Sequence, residues 1–334
     1  MRLHSHHSVW IAMLACVVAC VTAVMAGSVT IDWHAMALGV GDPIQRSIVW
    51  DVRMPRVVLA ALCGAALAVA GTAMQALFRN PLADPALTGV SSGAAIGAIG
   101  AIVLGADAFT TAQASLVNIA PYLQPLAAFA GALATTGLLL MYTRRDTVAT
   151  LLLAGVGVNA LAGATIGALT WIADDAKLRN LAFWMLGSFG GAHWTLVAAT
   201  APWLVLPIVV LPKLARAMNA LLLGEIEAGY LGYAVGPLKL ALLALTALAV
   251  GAAVAAAGMV GFIGLVVPHM VRTLTGPDHT RVVPVVAFFG ATLAVLADLA
   301  ARWCVAPAEL PVGVLLAALG APMFLWLLKR QPRA

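Results

Sequence analysis

Charged residues are scarce in this sequence. Lys, Arg, Asp and Glu make up only 9% of its 334 residues, while 63% are hydrophobic. A water-soluble globular domain carries about a quarter of its residues as charged side chains. The composition therefore excludes a soluble protein and indicates a chain that lies in lipid. The 18 basic residues are spread over many short loops, so we expect no nucleic-acid-binding surface.

The sequence also lacks the usual residues for nucleotide or metal chemistry. A phosphate-binding P-loop ends in Gly-Lys-Ser or Gly-Lys-Thr, and the chain has no Gly-Lys dipeptide, so it cannot hydrolyse ATP itself. Its four cysteines form no CxxC pair. Three histidines crowd between positions 4 and 7 without an acidic or cysteine partner nearby. We predict that the chain holds no metal and no cofactor and is not an enzyme.

Long apolar runs dominate what remains. Ten of them can cross the hydrocarbon core of a bilayer as helices, each of which satisfies its own backbone polar groups. They cover residues 8–27, 54–78, 87–105, 116–142, 148–172, 194–211, 236–257, 259–274, 284–303 and 311–328. Barrel strands would alternate in polarity over about ten residues, and these runs do not. We predict an all-α, polytopic membrane protein in which residues 1–334 form one domain of about ten transmembrane helices, the eighth being the shortest.

The basic residues predict the orientation of the chain. With the N-terminus inside, twelve of the 18 lie on the cytoplasmic side and six lie outside. This bias satisfies the positive-inside rule and places both termini in the cytoplasm. Residues 1–26 also resemble a secretory signal that could be cleaved. Their apolar run is longer than an ordinary signal core, so we expect it to remain as the first span.

One charged pair falls within an apolar run. Asp298 and Arg302 are four residues apart, which places them on the same helix face and predicts an ion pair. Ion-coupled carriers usually show ionisable residues within their spans, and membrane enzymes need a metal or acid-base cluster there. The sequence contains no such cluster. A secondary carrier or an integral membrane enzyme is therefore the weaker alternative to a transporter powered by a separate chain.

Three loops carry polar residues. Residues 79–85 contain two prolines, which end a helix and leave polar groups that need partners, although a simple turn explains them equally well. Residues 219–233 combine acidic and small residues between basic positions. We predict that they form a short, partly polar helix on the cytoplasmic face. Residues 275–281 need no role beyond that of a connector.

One segment begins at Trp50 and reads WDVRMPRVVLAALCGAALAVAGTAMQALFRNPLADPALTGVSSGAAIG. It resembles the signature of the permeases that import vitamin B12, ferric siderophores and haem. Later segments resemble the same family in the same order. They are LLLAGVGVNAL from Leu151, FWMLGSFGG from Phe183, LGEIEAGYLG from Leu223, GFIGLVVPHMVR from Gly261 and ELPVGVLLAALGAPMF from Glu309. The resemblance covers nearly the whole chain.

The resemblance implies a permease subunit of a type II ABC importer in the bacterial inner membrane. In this family a ten-helix permease forms a homodimer around a central pathway and docks two cytoplasmic ATPase subunits, which bind ATP and Mg²⁺. A periplasmic binding protein delivers the cargo, and membrane lipid surrounds the spans. The style of the sequence favours haem as the cargo, with a ferric siderophore and cobalamin as the alternatives.

The resemblance also implies a periplasmic docking site. Arg53, Arg56 and Arg302 match arginines that face the periplasm in the B12 permease and engage carboxylates of the binding protein. The alternative is that these arginines anchor helix ends at lipid headgroups.

Two further groups of residues are implied on the cytoplasmic side. The coupling segment, residues 219–233, matches the element that fits into a groove of the ATPase. Its expected contacts are Glu225, Ala228 and Gly232. The cytoplasmic gate matches Leu82, Val148 and Ala149. The B12 permease has small hydroxyl residues at the last two gate positions, so this sequence departs from the family's pattern there.

Overall fold

The computed structural model describes residues 5–27, 29–39, 41–105, 120–143, 148–305 and 308–330. Every regular element within these residues is helical. The α-helices are α1 (Ser5–Met25), α2 (Trp33–Ala37), α3 (Pro43–Ser47), α4 (Met54–Leu77), α5 (Val90–Gly100), α6 (Ala120–Thr143), α7 (Val148–Ile172), α8 (Asp175–Leu186), α9 (Trp194–Val210), α10 (Ala215–Leu223), α11 (Glu225–Tyr230), α12 (Val235–Ala257), α13 (Ile263–Thr275), α14 (His279–Trp303) and α15 (Val312–Arg330). Turns of other helix types lie at Ile48–Arg53, Pro85–Thr88, Ala101–Gly105 and Leu211–Leu214.

The long helices agree with the predicted spans. Within the described part of the chain, seven helical segments are long and apolar enough to cross a membrane. They contain α1, α4, α6, α7, α9, α12 and α14. The remaining predicted spans correspond to α5, α13 and α15, of which α5 and α15 overlap shorter apolar helical segments. The prediction of an all-α, polytopic membrane protein is confirmed.

Helix α4 is the central element of the bundle. It packs against α9, α12, α13 and α14, and almost all of its residues are buried. At its crossing with α14, Gly64 opposes Gly290, and a Cβ atom on either glycine would overlap the backbone carbonyl of the other. Two glycines therefore allow the two backbones to touch, which is how helices associate closely in lipid.

The antiparallel course of α4 and α14 defines two ends of the bundle. Arg56, near the start of α4, meets Asp298, near the end of α14, whereas the glycine pair lies nearer the middle of both helices. We call this end, with its three arginines, the arginine end. The other end is where α14 begins at His279, which is hydrogen-bonded to Asn219 of α10, and we call it the Asn219 end. A helix of 25 residues separates the two ends by roughly 37 Å.

The short eighth span and the coupling segment differ from a simple helical expectation. Helix α13 has only 13 residues, about 20 Å, which is less than the thickness of the hydrocarbon core. Phe262 precedes it with a φ of 68°, a left-handed conformation that is unusual for an aromatic residue. The coupling segment is not one helix: Gly224, with a φ of 140°, separates α10 from α11.

Helix α8 was not predicted from the sequence. It lies between the fifth and sixth predicted spans and begins where the Asp174 side chain accepts a hydrogen bond from the backbone N–H of Lys177. Its first turn carries charged residues, so the segment is not a long apolar run and does not resemble a membrane span.

Candidate functional site

The arginine end contains a buried ion cluster built around Arg56. The Nε and Nη2 groups of Arg56 donate to the carboxylate of Asp298 over distances of 2.9 to 3.1 Å. Its Nη1 group donates to Oε1 of Glu309 at 2.9 Å. Asp298 belongs to α14, and Glu309 lies in the loop before α15. One guanidinium group therefore joins three separate parts of the chain.

Two more arginines complete the cluster. Nε of Arg302 lies 3.3 Å from Oδ2 of Asp298, which confirms the ion pair predicted from their spacing. The Nη2 group of Arg302 donates to the carbonyl oxygen of Ala23 in α1. Arg53 donates to three backbone carbonyl oxygens between residues 24 and 29. Both outer arginines thus fasten the end of α1 to the cluster.

The cluster carries a net charge, and its side chains differ in their exposure to solvent. Three arginines face two carboxylates, which leaves one net positive charge. The side chains of Asp298 and Arg56 are 1% and 8% exposed, whereas that of Glu309 is 47% exposed. The hydrogen bond from Arg56 holds the pKa of Glu309 below its usual value, although partial burial acts in the opposite direction. Glu309 is therefore ionised, and it is the member of the cluster that faces solvent.

The structure brings the three predicted docking arginines together and buries them. Arg53 and Arg56 are only 4% and 7% exposed, so neither faces solvent freely in this conformation. Their docking role stays a prediction. The contact between Arg56 and Asp298 was not predicted, because the two residues are 242 positions apart in the sequence. Glu309 was also missed, although it begins one of the segments that resemble the family.

At the Asn219 end, a hydrogen-bonded cluster fixes the start of the coupling segment. Oδ1 of Asn219 lies 2.9 Å from the backbone nitrogen and 2.8 Å from Nδ1 of His279, and Nδ2 of Asn219 donates to Oδ1 of Asp278 at 2.7 Å. Because an amide oxygen only accepts, Nδ1 of His279 carries the hydrogen. Burial acts to raise the pKa of Asp278, but hydrogen bonds from Asn219 and Thr280 hold it below its usual value. The interpretation of residues 275–281 as a plain connector was incomplete, because this loop holds α10 in place.

The three predicted ATPase contacts have different environments. Glu225 forms an ion pair with Lys239, with 3.0 Å between Oε2 and Nζ. Ala228 is fully buried against its own chain, so its side chain cannot reach a partner in this conformation. Gly232 has a φ of 87° and open space around its Cα atom. The contact role of these residues stays a prediction.

Exposed apolar side chains surround these three positions. We call them the coupling patch, and its members are Leu222, Leu223, Ile226, Tyr230 and Leu231. Tyr230 is 87% exposed and Ile226 is 69% exposed. The acidic side chain of Glu227 lies among them and is also exposed. A cluster of exposed apolar groups beside charged residues is typical of a protein interaction surface.

The predicted gate loop packs against α7. Leu82 lies in a turn where its N–H donates to Oδ1 of Asn80 at 2.9 Å. A little further on, the carbonyl oxygen of Ala86 accepts from Nδ2 of Asn159 in α7 at 3.2 Å. Val148 and Ala149 begin α7, but their side chains lie outside the described part of the structure. The assignment of these residues to a gate stays a prediction.

Comparisons with known proteins place this arrangement in a family. The model of the FecCD transport family matches residues 14–330. The chain is 48% identical over 288 residues to the hemin transport system permease protein HmuU of Yersinia pestis, covering 85% of this chain and 84% of that protein. It is 40% identical over 309 residues to the vitamin B12 import system permease protein BtuC of Escherichia coli O157:H7, covering 90% and 87%.

A solved structure shares the same fold. It is an inward-facing conformation of a proposed metal-chelate type ABC transporter, and it superposes with a TM-score of 0.85 at 31% identity. The match covers 96% of this chain and 98% of that chain.

Proposed function

The chain belongs to the FecCD transport family and is a permease of the ABC importers for metal chelates, haem or vitamin B12. We propose that it carries haem across the bacterial inner membrane. The degree of similarity supports haem, because identity to the hemin permease is 48% against 40% for the B12 permeases. A ferric siderophore or cobalamin is the alternative cargo within the same family.

We propose that the Asn219 end is cytoplasmic and binds the ATPase subunits. The coupling patch is the observation that carries this proposal, because it exposes large apolar side chains on two short helices that bury other residues, Ala228 among them, against the bundle. Both chain termini then lie in the cytoplasm, in agreement with the positive-inside bias of the loops. Ile226 and Tyr230 make the direct contacts, while the buried Ala228 holds α11 against the bundle.

We further propose that the arginine end faces the periplasm and receives the binding protein. Its one net positive charge attracts carboxylates and increases the rate of encounter. Since Arg56 is already paired with Asp298 and Glu309, a carboxylate from the binding protein has to join or replace one of these partners.

We propose that a second copy of the chain packs on α7. This helix leaves most of its apolar surface uncovered, including Leu153, Val156 and Trp171. The glycines at positions 157, 163 and 167 have no atoms of other elements near them, and such small residues allow close approach of a neighbouring helix. A homodimer joined here places the gate residues Leu82, Val148 and Ala149 near its axis.

In this mechanism the permease makes no covalent bond. ATP binding by the partner subunits moves the coupling segments, and the bundle responds by opening the path between the two copies to one side of the membrane at a time. The hydrogen bonds of Asn219 to Asp278 and His279 pass the movement to α14, whose other end lies in the arginine cluster.

Transport in proteoliposomes tests the proposed cargo. The permease is reconstituted with its ATPase subunits. Its periplasmic binding protein is then added in three separate experiments, loaded with haem, with ferrichrome or with cobalamin. We expect ATP-dependent uptake of haem alone. Uptake of cobalamin or ferrichrome without haem would contradict the haem proposal.

Two controls separate the mechanism from its alternatives. The permease without ATPase subunits should neither hydrolyse ATP nor accumulate haem. A proton or sodium gradient should not replace ATP. Uptake driven by such a gradient alone would identify a secondary carrier instead.

A further inference from the structure

Arg56 binds two carboxylates in two different ways. Its Nε and Nη2 groups hold Asp298 through three hydrogen bonds in the buried part of the cluster. Its Nη1 group holds Glu309 through a single hydrogen bond of 2.9 Å, and the Glu309 side chain is 47% exposed. Buried, bidentate ion pairs between Arg and a carboxylate are strong and directional, whereas an exposed ion pair with a single hydrogen bond contributes little and exchanges readily with water. The bond to Glu309 is therefore the one that opens first.

The backbone around Glu309 is fixed on both sides. The N–H of Leu310 donates to the carbonyl oxygen of Ala301 at 3.1 Å, and the N–H of Val312 donates to that of Gly187 at 3.0 Å. The side chain can therefore leave Arg56 by rotation while the loop stays in place. Its departure would expose one edge of a guanidinium group to the solvent at the arginine end.

We propose that Glu309 is an internal substitute for a carboxylate of the binding protein, and that docking exchanges one for the other on Nη1 of Arg56. This inference rests on the proposed docking role of the arginine end. It explains how arginines that are almost fully buried can still recognise a partner. Before docking, Glu309 neutralises Arg56 and keeps the edge of the cluster covered. The exchange conserves the number of ion pairs at Arg56, so docking stays readily reversible.

Replacement of Glu309 tests the exchange. The full-length permease, assembled with its ATPase subunits in nanodiscs, is titrated at low salt with the haem-loaded binding protein encoded beside it. Glu309→Gln keeps the shape of the side chain but removes its charge, so the incoming carboxylate no longer has to displace a competing anion. We expect about two- to fivefold tighter binding, the range of a single exposed ion pair.

A matched variant separates exchange from general attraction. Asp51 is an exposed carboxylate near the same end, and it accepts a hydrogen bond from Ser47 rather than from an arginine. Asp51→Asn removes the same charge without freeing Arg56, so it should change the affinity less than Glu309→Gln. Equal effects of the two variants, or weaker binding by Glu309→Gln, would overturn the exchange.

Replacement of Arg56 distinguishes this inference from the docking proposal beneath it. Arg56→Lys retains one positive charge for Asp298 but cannot hold two carboxylates side by side. If docking is right and exchange is wrong, Arg56→Lys weakens binding and Glu309→Gln behaves like Asp51→Asn. If docking itself is wrong, both cluster variants bind the loaded protein as the wild type does. Co-purification with the ATPase subunits verifies that each variant is folded.

Discussion

The two ends of the bundle handle polar and apolar groups in opposite ways. In the ion cluster at the arginine end, the charged groups are turned inward and hydrogen-bonded, and among its members Glu309 is the half-exposed one. At the Asn219 end, the polar groups of Asn219 and Asp278 are also satisfied, but large apolar side chains are left facing outward in the coupling patch. The first end keeps its charge in a mostly buried cluster, and the second exposes apolar area.

This difference suggests two kinds of partner binding. Charged surfaces mainly set the rate and orientation of encounter, and the resulting complexes form and dissociate quickly. Apolar surfaces with a polar surround are typical of stable assemblies, whose affinity comes from a few buried anchors. A binding protein that must leave after each delivery suits the arginine end. An ATPase subunit that stays through the cycle suits the coupling patch.

The largest expected effect follows from adding a charge to the coupling patch. Ile226→Glu should prevent co-purification of the ATPase subunits and reduce haem uptake about tenfold or more, because a buried interface anchor becomes an unpaired carboxylate. Leu38→Glu is the matched control, since Leu38 is similarly exposed but lies between α2 and α3, far from the patch. Normal assembly of Ile226→Glu would show that the patch is not the ATPase contact.

The buried cluster gives the next largest effect. Asp298→Asn keeps the shape of the side chain but leaves Arg56 and Arg302 without their shared counterion. The loss of one partner from a buried ion pair costs about 3–5 kcal/mol, so thermal unfolding of the assembled complex should begin at a clearly lower temperature. Glu309→Gln should lower it much less, because the Glu309 side chain is partly exposed. Equal stability of the two variants would mean that Asp298 is not the centre of the cluster.

Much of the fold could be predicted from the sequence, because lipid imposes a simple rule on apolar length. Helices α4, α7 and α12 begin and end within one or two residues of the predicted spans. The pair formed by Asp298 and Arg302 was also predictable, because both lie on one helix with a fixed spacing.

The rest depended on contacts that sequence spacing does not encode. Asp298 meets Arg56 only because the glycine pair brings α4 and α14 together. Helix α8 was not predicted, because it is too polar and too short to resemble a membrane span. The burial of Ala228 depends on how α11 folds back on the bundle, which its sequence of small and acidic residues did not reveal.

The smallest effect concerns the attachment of the coupling segment. Asn219→Asp keeps an acceptor for His279 but places a carboxylate against that of Asp278, whose present hydrogen bond from Asn219 is 2.7 Å long. The loss of that donor should destabilise α10 by about 1–3 kcal/mol and speed hydrogen exchange in residues 215–223. Because facing carboxylates raise the pKa of one of them, the defect should lessen as the pH falls and one carboxylate gains a proton.

The exchanged pair Asn219→Asp with Asp278→Asn provides the decisive control. In the double variant the new carboxylate at 219 accepts from His279 and from the new amide at 278. Because Oδ1 of Asp278 now accepts from both Asn219 and Thr280, the amide that regains the bond to 219 gives up the bond from Thr280, which caps α14 rather than α10. Exchange rates in α10 should then return toward those of the wild type, and uptake should recover with them. Recovery of the hydrogen-exchange rates without recovery of haem uptake would show that the hydrogen bond between residues 219 and 278 only holds α10 in place. Recovery of both would identify it as part of the path by which the ATPase moves α14.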